Sequence, residues 1–147
     1  LMMVNVAFDT LNRYLMNSNS VALQEMEWHL FSVIILLGTS YALSEEGHVR
    51  VDIFYTNFSA KKKAIINMIG VITFMLPLSL LVAFGSLGFV EEAYIFMEQS
   101  GDPGGLPYRF IIKGLIPTSF FILIFMSVGY FARNYNLLKR LNSGSKS

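Results

Sequence analysis

Long uncharged stretches dominate the pattern of hydrophobic and polar positions along this chain. No Asp, Glu, Lys or Arg occurs in the 27 residues between Lys63 and Glu91, or in the 19 residues between Lys113 and Arg133. Predominantly apolar runs of about 18 residues or more are typical of helices that cross a membrane. The pattern therefore predicts an integral membrane protein and excludes a water-soluble enzyme.

The lengths and spacing of these runs predict an all-α integral membrane protein with four transmembrane helices in a single domain. The predicted helices cover about residues 1–16, 21–43, 60–97 and 108–135, and a basic cytoplasmic tail follows to residue 147. The first run is short and lacks the basic start and small-residue cleavage site of a signal peptide. We therefore expect it to be the second half of a membrane helix that is truncated at its N-terminus.

The second predicted helix is only just long enough to cross a membrane. Its stretch free of ionisable groups, residues 30–44, covers roughly 22 Å at the helical rise of 1.5 Å per residue. A hydrocarbon core of roughly 30 Å therefore places the turn from Glu25 to His29 at or near the membrane interface. Trp28 fits that depth, since tryptophan is enriched in the interfacial aromatic belt.

Two local features predict details of helix geometry. Pro77 lies in the middle of the third predicted helix and predicts a kink there, because proline removes a helical hydrogen bond. Asp9 and Arg13 are four residues apart, so on a helix they share one face and can form an ion pair.

Lysine and arginine residues are unevenly distributed, and cytoplasmic loops of membrane proteins carry the excess of these residues. The connection between the second and third helices has four, the C-terminal segment has four, and the opposite side has three. We therefore expect the middle connection and the C-terminus in the cytoplasm. With four helices, the N-terminus is expected there too.

Composition narrows the function classes further. Only 14% of the residues are charged, against roughly 25% in soluble domains. The net charge is +1, which leaves no concentrated basic face for nucleic acid. Cysteine is absent, so disulfides and thiolate metal sites are excluded.

The sequence contains no residue pattern typical of an enzyme active site or a cofactor-binding site. It has no nucleophile–base pair, glycine-rich phosphate loop or cluster with metal-ligand spacing, and we expect no enzymatic activity. A haem held by two histidines needs both imidazoles at one depth. The predicted topology places His29 and His48 on opposite sides of the membrane, so no cofactor is expected.

Charged residues near helix ends are the remaining candidates for function. A charge deep in a bilayer costs about 2.5–3.5 kcal/mol on translocon scales, so such residues usually mark a functional site or a partner. Glu25 and Glu27 fit that description, but both could equally lie at headgroup depth in contact with water. Arg109 and Lys113 could reach phospholipid headgroups or contact an acidic partner surface.

Four strings of residues, taken in order, resemble the small membrane subunit of tripartite ATP-independent periplasmic (TRAP) transporters, the DctQ-like family. The strings are Arg13-Tyr14 followed by Asn17, residues 24–31 followed by 36–38, residues 47–52, and residues 105–109 followed by Lys113 and Pro117. The match covers most of the chain, and the ordered set is more specific than any single string.

The resemblance implies a component of a secondary transporter in the bacterial inner membrane. In such systems a periplasmic binding protein delivers an organic anion to a large (DctM-like) membrane subunit, which moves the anion inward with sodium. The small subunit is a four-helix partner that braces the stationary scaffold of the large one and helps dock the binding protein. The family picture gives it no substrate or sodium site, and sodium is expected on the large subunit.

The resemblance also singles out polar and aromatic residues for structural contacts with the large subunit, within the chain or with phospholipid headgroups. These candidates are Glu25, Trp28, Arg50, Asp52, Arg109 and Lys113. Two alternative functions remain open. A small four-helix multidrug-efflux protein would need a glutamate deep in a helix, whereas Glu25 and Glu27 lie at a helix start. A membrane anchor of a respiratory complex would carry haem. The sequence does not identify the substrate.

Overall fold

The protein is described by a computed structural model that covers residues 1–44 and 58–143, and every regular element in these ranges is helical. The elements are α1 (Met2–Leu15), α2 (Val21–Ser44), α3 (Ala60–Gly70), a π-helical turn (Val71–Met75), α4 (Leu76–Ile95) and α5 (Arg109–Ser143). The predicted all-α fold class is confirmed.

Among the residues that the structure describes, three stretches of helix are long and apolar enough to cross a membrane. They are Val21–Ala42, Ala60–Ile95 and Arg109–Ser143. The shorter α1 has 14 residues and packs against α2. The described part of the chain therefore fits the predicted arrangement of four helices, with the first one short.

A widened turn joins α3 to α4 where the sequence predicted a kink. The backbone N–H of Leu76 donates to the carbonyl of Val71, five residues earlier, instead of four. Pro77 follows directly, and its ring has no N–H and would clash with the carbonyl of Thr73 in a regular α-helix. A π turn is a common way to relieve such a conflict without ending the helix.

The last helix is longer than the sequence predicted. The predicted end was near residue 135, whereas α5 continues to Ser143. The apolar run ends at Arg133, but residues 133–143 contain neither glycine nor proline and include leucine, lysine and arginine, which favour helix. The loss of hydrophobicity therefore marks the end of the membrane span and not the end of the helix.

Small residues form the interfaces around α5, which packs against α2, α3 and α4. The buried small residues of these interfaces are Ser40, Ala64, Ser79, Ala83, Ala93, Ser119 and Ser127. Small side chains allow helix backbones to approach closely, which is how helices associate where no water is present to drive burial. Val71 of the π-helical turn packs with Leu123 and Tyr130 of α5 in a hydrophobic cluster.

Hydrogen bonds also connect helices across these interfaces. The Oγ of Ser40 on α2 donates to the carbonyl oxygen of Ser119 on α5 at 3.2 Å. The Nδ2 of Asn67 on α3 donates to Oδ1 of Asn134 on α5 at 3.0 Å. Asn134 in turn donates to the carbonyl oxygen of Tyr130 at 2.9 Å. We call the end of the bundle that contains Asn67 and Asn134 the Asn134 end, and the opposite end the Glu25 end.

The C-terminus of α4 contains a residue in an unfavourable backbone conformation. Met97 has a φ of 45°, the left-handed region in which a Cβ atom costs about 1–2 kcal/mol. The N–H of Glu98 donates to the carbonyl of Ala93 at 2.9 Å, and that of Met97 to Tyr94 at 3.1 Å. These bonds define a Schellman motif, whose left-handed position is usually occupied by glycine.

Replacement of Met97 by glycine should therefore stabilise the protein. We expect the free energy of unfolding to rise by roughly 1 kcal/mol, because glycine adopts a positive φ without steric cost. Thermal unfolding of the full chain in detergent would measure this. The control Met97→Ala removes the long side chain but keeps the Cβ atom, so it should not stabilise. A glycine variant with a Tm no higher than that of the alanine variant would contradict the prediction.

Candidate functional site

At the Glu25 end, one carboxylate on α2 holds the connection between α4 and α5. Oε1 of Glu25 accepts hydrogen bonds from the Oγ of Ser100 at 2.5 Å and from the guanidinium of Arg109 at 2.7 Å. Oε2 accepts the backbone N–H of Leu106 at 2.6 Å. We call Glu25, Ser100, Leu106 and Arg109 the Glu25 cluster. Only 12% of the Glu25 side chain is exposed, so this charge depends on its partners.

The connection is also closed by its own backbone. The N–H of Ser100 donates to the carbonyl of Leu106 at 3.2 Å, and the N–H of Arg109 donates to that of Glu98 at 3.0 Å. The Oγ of Ser100 accepts the N–H of Asp102 at 3.2 Å as well. The segment is thus a compact loop whose two sides are hydrogen-bonded to each other. Glu25 additionally joins this loop to α2.

Close packing inside this loop requires a glycine. A Cβ atom at Gly105 would overlap the Cβ and Oγ atoms of Ser100 and lie 2.9 Å from Oε2 of Glu25. The neighbouring Gly104 has a φ of 81°, which favours glycine for a different reason. The two consecutive glycines therefore serve separate needs, the first a backbone conformation and the second a close approach.

A second polar contact lies beside the Glu25 cluster. Lys113 on α5 forms an ion pair with Glu98, and its Nζ atom lies 3.8 Å from the centroid of the Phe89 ring on α4. A cation over an aromatic face contributes about 0.5–1 kcal/mol at exposed sites and more where water is excluded. Tyr94 and Phe110 pack edge to face at 5.3 Å between the same two helices.

The six residues singled out from the sequence have different positions. Glu25, Arg109 and Lys113 lie together at the Glu25 end, and each contacts residues of this chain. Trp28 is one turn away on α2, with 71% of its surface exposed, and does not join the cluster. Arg50 and Asp52 lie outside the described residues.

Sequence reasoning missed Ser100 and Glu98 as partners in these contacts. Ser100 is 75 positions from Glu25, so no helical periodicity connects them. The available signal was the density of turn-forming residues in 98–107, which indicates an ordered loop but not what holds it.

The predicted local ion pair on α1 is present. Arg13 is bonded to Asp9, whose side chain is buried whereas that of Arg13 is half exposed. Near it, the Nδ2 of Asn5 donates to the carbonyl of Leu23 at 3.0 Å and joins α1 to α2. The first helix is therefore attached to α2 by a hydrogen bond as well as by packing.

The geometry at the Glu25 end is that of a structural clamp. Both carboxylate oxygens of Glu25 accept hydrogen bonds from donors of the same chain. Within residues 1–44 and 58–143, no three His, Asp or Glu side chains lie close enough together to hold a metal ion. The cluster can fix the positions of α2, α4 and α5 relative to one another.

Comparison with known proteins gives one positive result. A family model described as "Tripartite ATP-independent periplasmic transporters, DctQ component" matches residues 2–137. No curated protein and no solved structure gives a significant match. The family match includes the Glu25 cluster and all five α-helical elements up to the last turns of α5.

Proposed function

Because the chain belongs to the DctQ family of tripartite ATP-independent periplasmic transporters, we propose that it braces the large membrane subunit of such a transporter. In this proposal the complex takes up an organic acid together with sodium, and a periplasmic binding protein delivers the acid. The single observation that carries the proposal is the family match over residues 2–137. The chain itself is a small permease subunit, a component of a multi-pass membrane complex.

The internal structure supports the bracing role. Glu25, Ser100 and Arg109 fix α2 to the loop between α4 and α5 at one end. The bond between Asn67 and Asn134 fixes α3 to α5 at the other end. A bundle held at both ends keeps its shape while a neighbouring subunit moves, which is what a stationary support requires.

The outer surface supports a membrane location. Large apolar side chains are exposed along every membrane-span candidate, among them Ile34, Phe74, Leu81 and Phe125. Exposed apolar surface of this extent needs lipid or another subunit to cover it.

Orientation follows from the basic residues. With eight lysines and arginines on one side and three on the other, we propose that the Asn134 end faces the cytoplasm of a bacterial cell. Both termini are then cytoplasmic, and the loop at the Glu25 end faces the periplasm. In this orientation a periplasmic binding protein could reach that loop and the short connection between α1 and α2.

The proposal is tested by reconstitution. We expect the full chain to co-purify with a DctM-like large membrane subunit from the same cells. Organic-acid uptake into liposomes should need both subunits, the binding protein and a sodium gradient. The control is the same complex without the gradient. A large subunit that transports at full rate alone, or proton-coupled drug efflux by the small chain alone, would contradict the proposal.

A further inference from the structure

Unpaired carboxylates are concentrated at the Glu25 end of the bundle. Each basic residue at this end is already in an ion pair with a carboxylate of this chain; the pairs are Arg13–Asp9, Arg109–Glu25 and Lys113–Glu98. Four further carboxylates form no side-chain hydrogen bond or ion pair with the described residues; they are Glu27, Glu91, Glu92 and Asp102. This end of the protein therefore carries an excess of negative charge that the fold does not use.

An exposed apolar patch lies at the same end. Phe96 and Met97 at the end of α4, and Tyr108 immediately before α5, each have more than half of their surface exposed. The backbone N–H of Arg109 donates to the carbonyl of Glu98 at 3.0 Å, so the end of α4 lies beside the start of α5. We call Phe96, Met97 and Tyr108 the outer patch.

The outer patch lies beyond the hydrocarbon layer of a membrane. The helix from Lys113 to Arg133 rises roughly 30 Å, and a hydrocarbon core is equally thick, so these two residues fit its two boundaries. The Nζ atom of Lys113 lies 3.8 Å from the centroid of the Phe89 ring, so α4 crosses the same boundary near Phe89. Phe96 is seven residues further along and lies roughly 10 Å outside the boundary. The headgroup layer adds only about 5–7 Å on each side, so the patch reaches water.

Two residues of the outer patch have strained backbone conformations. The φ angle is 45° at Met97 and 61° at Tyr108, and bulky residues rarely adopt a positive φ. Glycine would adopt either conformation without steric cost, so neither side chain is favoured by its own backbone. Strain of this kind is concentrated at functional sites, and here it accompanies two large side chains that are exposed to solvent.

We propose that the outer patch and the carboxylates beside it are the docking surface for the periplasmic binding protein, which contributes lysine and arginine residues around an apolar contact. The inference rests on the proposed function, which supplies this partner and the orientation of the chain. Protein interfaces have aromatic residues and methionine at their centre and polar residues at their rim. Glu92, one helical turn before Phe96, and Asp102 in the loop supply acidic rim residues.

The unpaired charge favours a soluble partner over the other candidates. An excess of one charge accelerates the encounter with a partner of opposite charge. A permanent contact with the large subunit would be more apolar, because interface cores are depleted of acidic side chains. Anionic phospholipid headgroups would be repelled by the same carboxylates.

Binding to the complex of both membrane subunits in phosphatidylcholine nanodiscs tests the surface, with the purified periplasmic binding protein as the probe. The variant Tyr108→Asn removes the aromatic ring, whereas asparagine tolerates a positive φ. We expect its Kd to rise by about fivefold or more, as for other residues truncated at the centre of an interface. Size-exclusion chromatography and the protease resistance of residues 98–107 establish that each variant is folded.

Glu92→Gln and Glu27→Gln are the matched pair for the charge. Each removes one unpaired carboxylate at the same end, but Glu27 lies on α2, two residues from Glu25 and therefore on the opposite side of that helix. Glu92→Gln should raise the Kd roughly two- to fourfold at low salt and have less effect at high salt. Glu27→Gln should leave the Kd unchanged.

Three results would overturn the proposal. They are equal effects of Glu92→Gln and Glu27→Gln, an unchanged Kd in Tyr108→Asn, and no binding to the unsubstituted complex. Loss of the large subunit from the purified Tyr108→Asn complex would also overturn it, because the patch would then be a contact between the membrane subunits. The proposed function fails differently, through uptake that does not need the small chain. An intact, transporting complex without these changes in Kd would disprove the docking surface alone.

Discussion

Replacement of Glu25 by glutamine is expected to release the loop between α4 and α5 and to give the largest loss of stability among single polar substitutions at this end. Arg109, whose side chain is 35% exposed, would lose its opposite charge, and the mostly buried carboxylate would be replaced by a neutral amide, which accepts weaker hydrogen bonds. Ser100 and the N–H of Leu106 would share one neutral acceptor instead of a carboxylate. Limited proteolysis of residues 98–108 and the Tm of the full chain in detergent measure the two effects.

Glu27→Gln is the matched control for this prediction. Glu27 lies two residues further along the same helix, and its side chain forms no hydrogen bond or ion pair with the described part of the chain. Its substitution should leave the loop protected and the Tm nearly unchanged. Arg109→Gln should reproduce the Glu25→Gln effect, and the double variant should lose less stability than the two single losses combined, because the residues are in contact. Equal Tm values for Glu25→Gln and Glu27→Gln would show that the cluster does not stabilise the fold.

The second large effect is expected from Gly105→Ala. The added methyl group would overlap Ser100 and approach Oε2 of Glu25, so the loop must shift away from α2. Forcing an extra methyl group into a packed site costs about 1–3 kcal/mol. Thermal or denaturant unfolding of the full chain would measure the loss, and faster cleavage of the loop should accompany it.

Two neighbouring glycines separate this effect from a general sensitivity of the loop. A Cβ atom at Gly101 would meet nothing within 4 Å, so Gly101→Ala should be nearly neutral. Gly104→Ala has the same open space but a φ of 81°, and should cost about 1 kcal/mol from backbone conformation alone. If Gly105→Ala proved as mild as Gly101→Ala, the close approach to Ser100 and Glu25 would not constrain the loop.

The helices could be predicted from the sequence because hydrophobicity over about 20 residues decides whether a segment can cross a membrane. The pair of Asp9 and Arg13 was also predictable, since four residues make about one helical turn. Both predictions depend on neighbours in sequence. They need no knowledge of how the helices pack.

The Glu25 cluster could not be predicted in the same way. Its members come from α2, from the loop and from the start of α5, and only the packing of these elements brings them together. The sequence indicated that Glu25 and Arg109 were unusual but not that they bind each other. The end of α5 was missed for a related reason, since loss of hydrophobicity in residues 133–143 changes the solvent around a helix without ending it.

The π turn before Pro77 sets which residues of α4 face α5. Ala64 and Val71 are both buried and lie seven positions apart, and the same spacing continued would bury Leu78, yet Leu78 is 60% exposed and Ser79 is 1% exposed. One extra residue in a turn rotates everything after it by roughly 100° about the helix axis. As a result Ser79, and not Leu78, lies in the close interface between α4 and α5. A heptad count carried across Met75 would therefore assign residues of α4 to the wrong face.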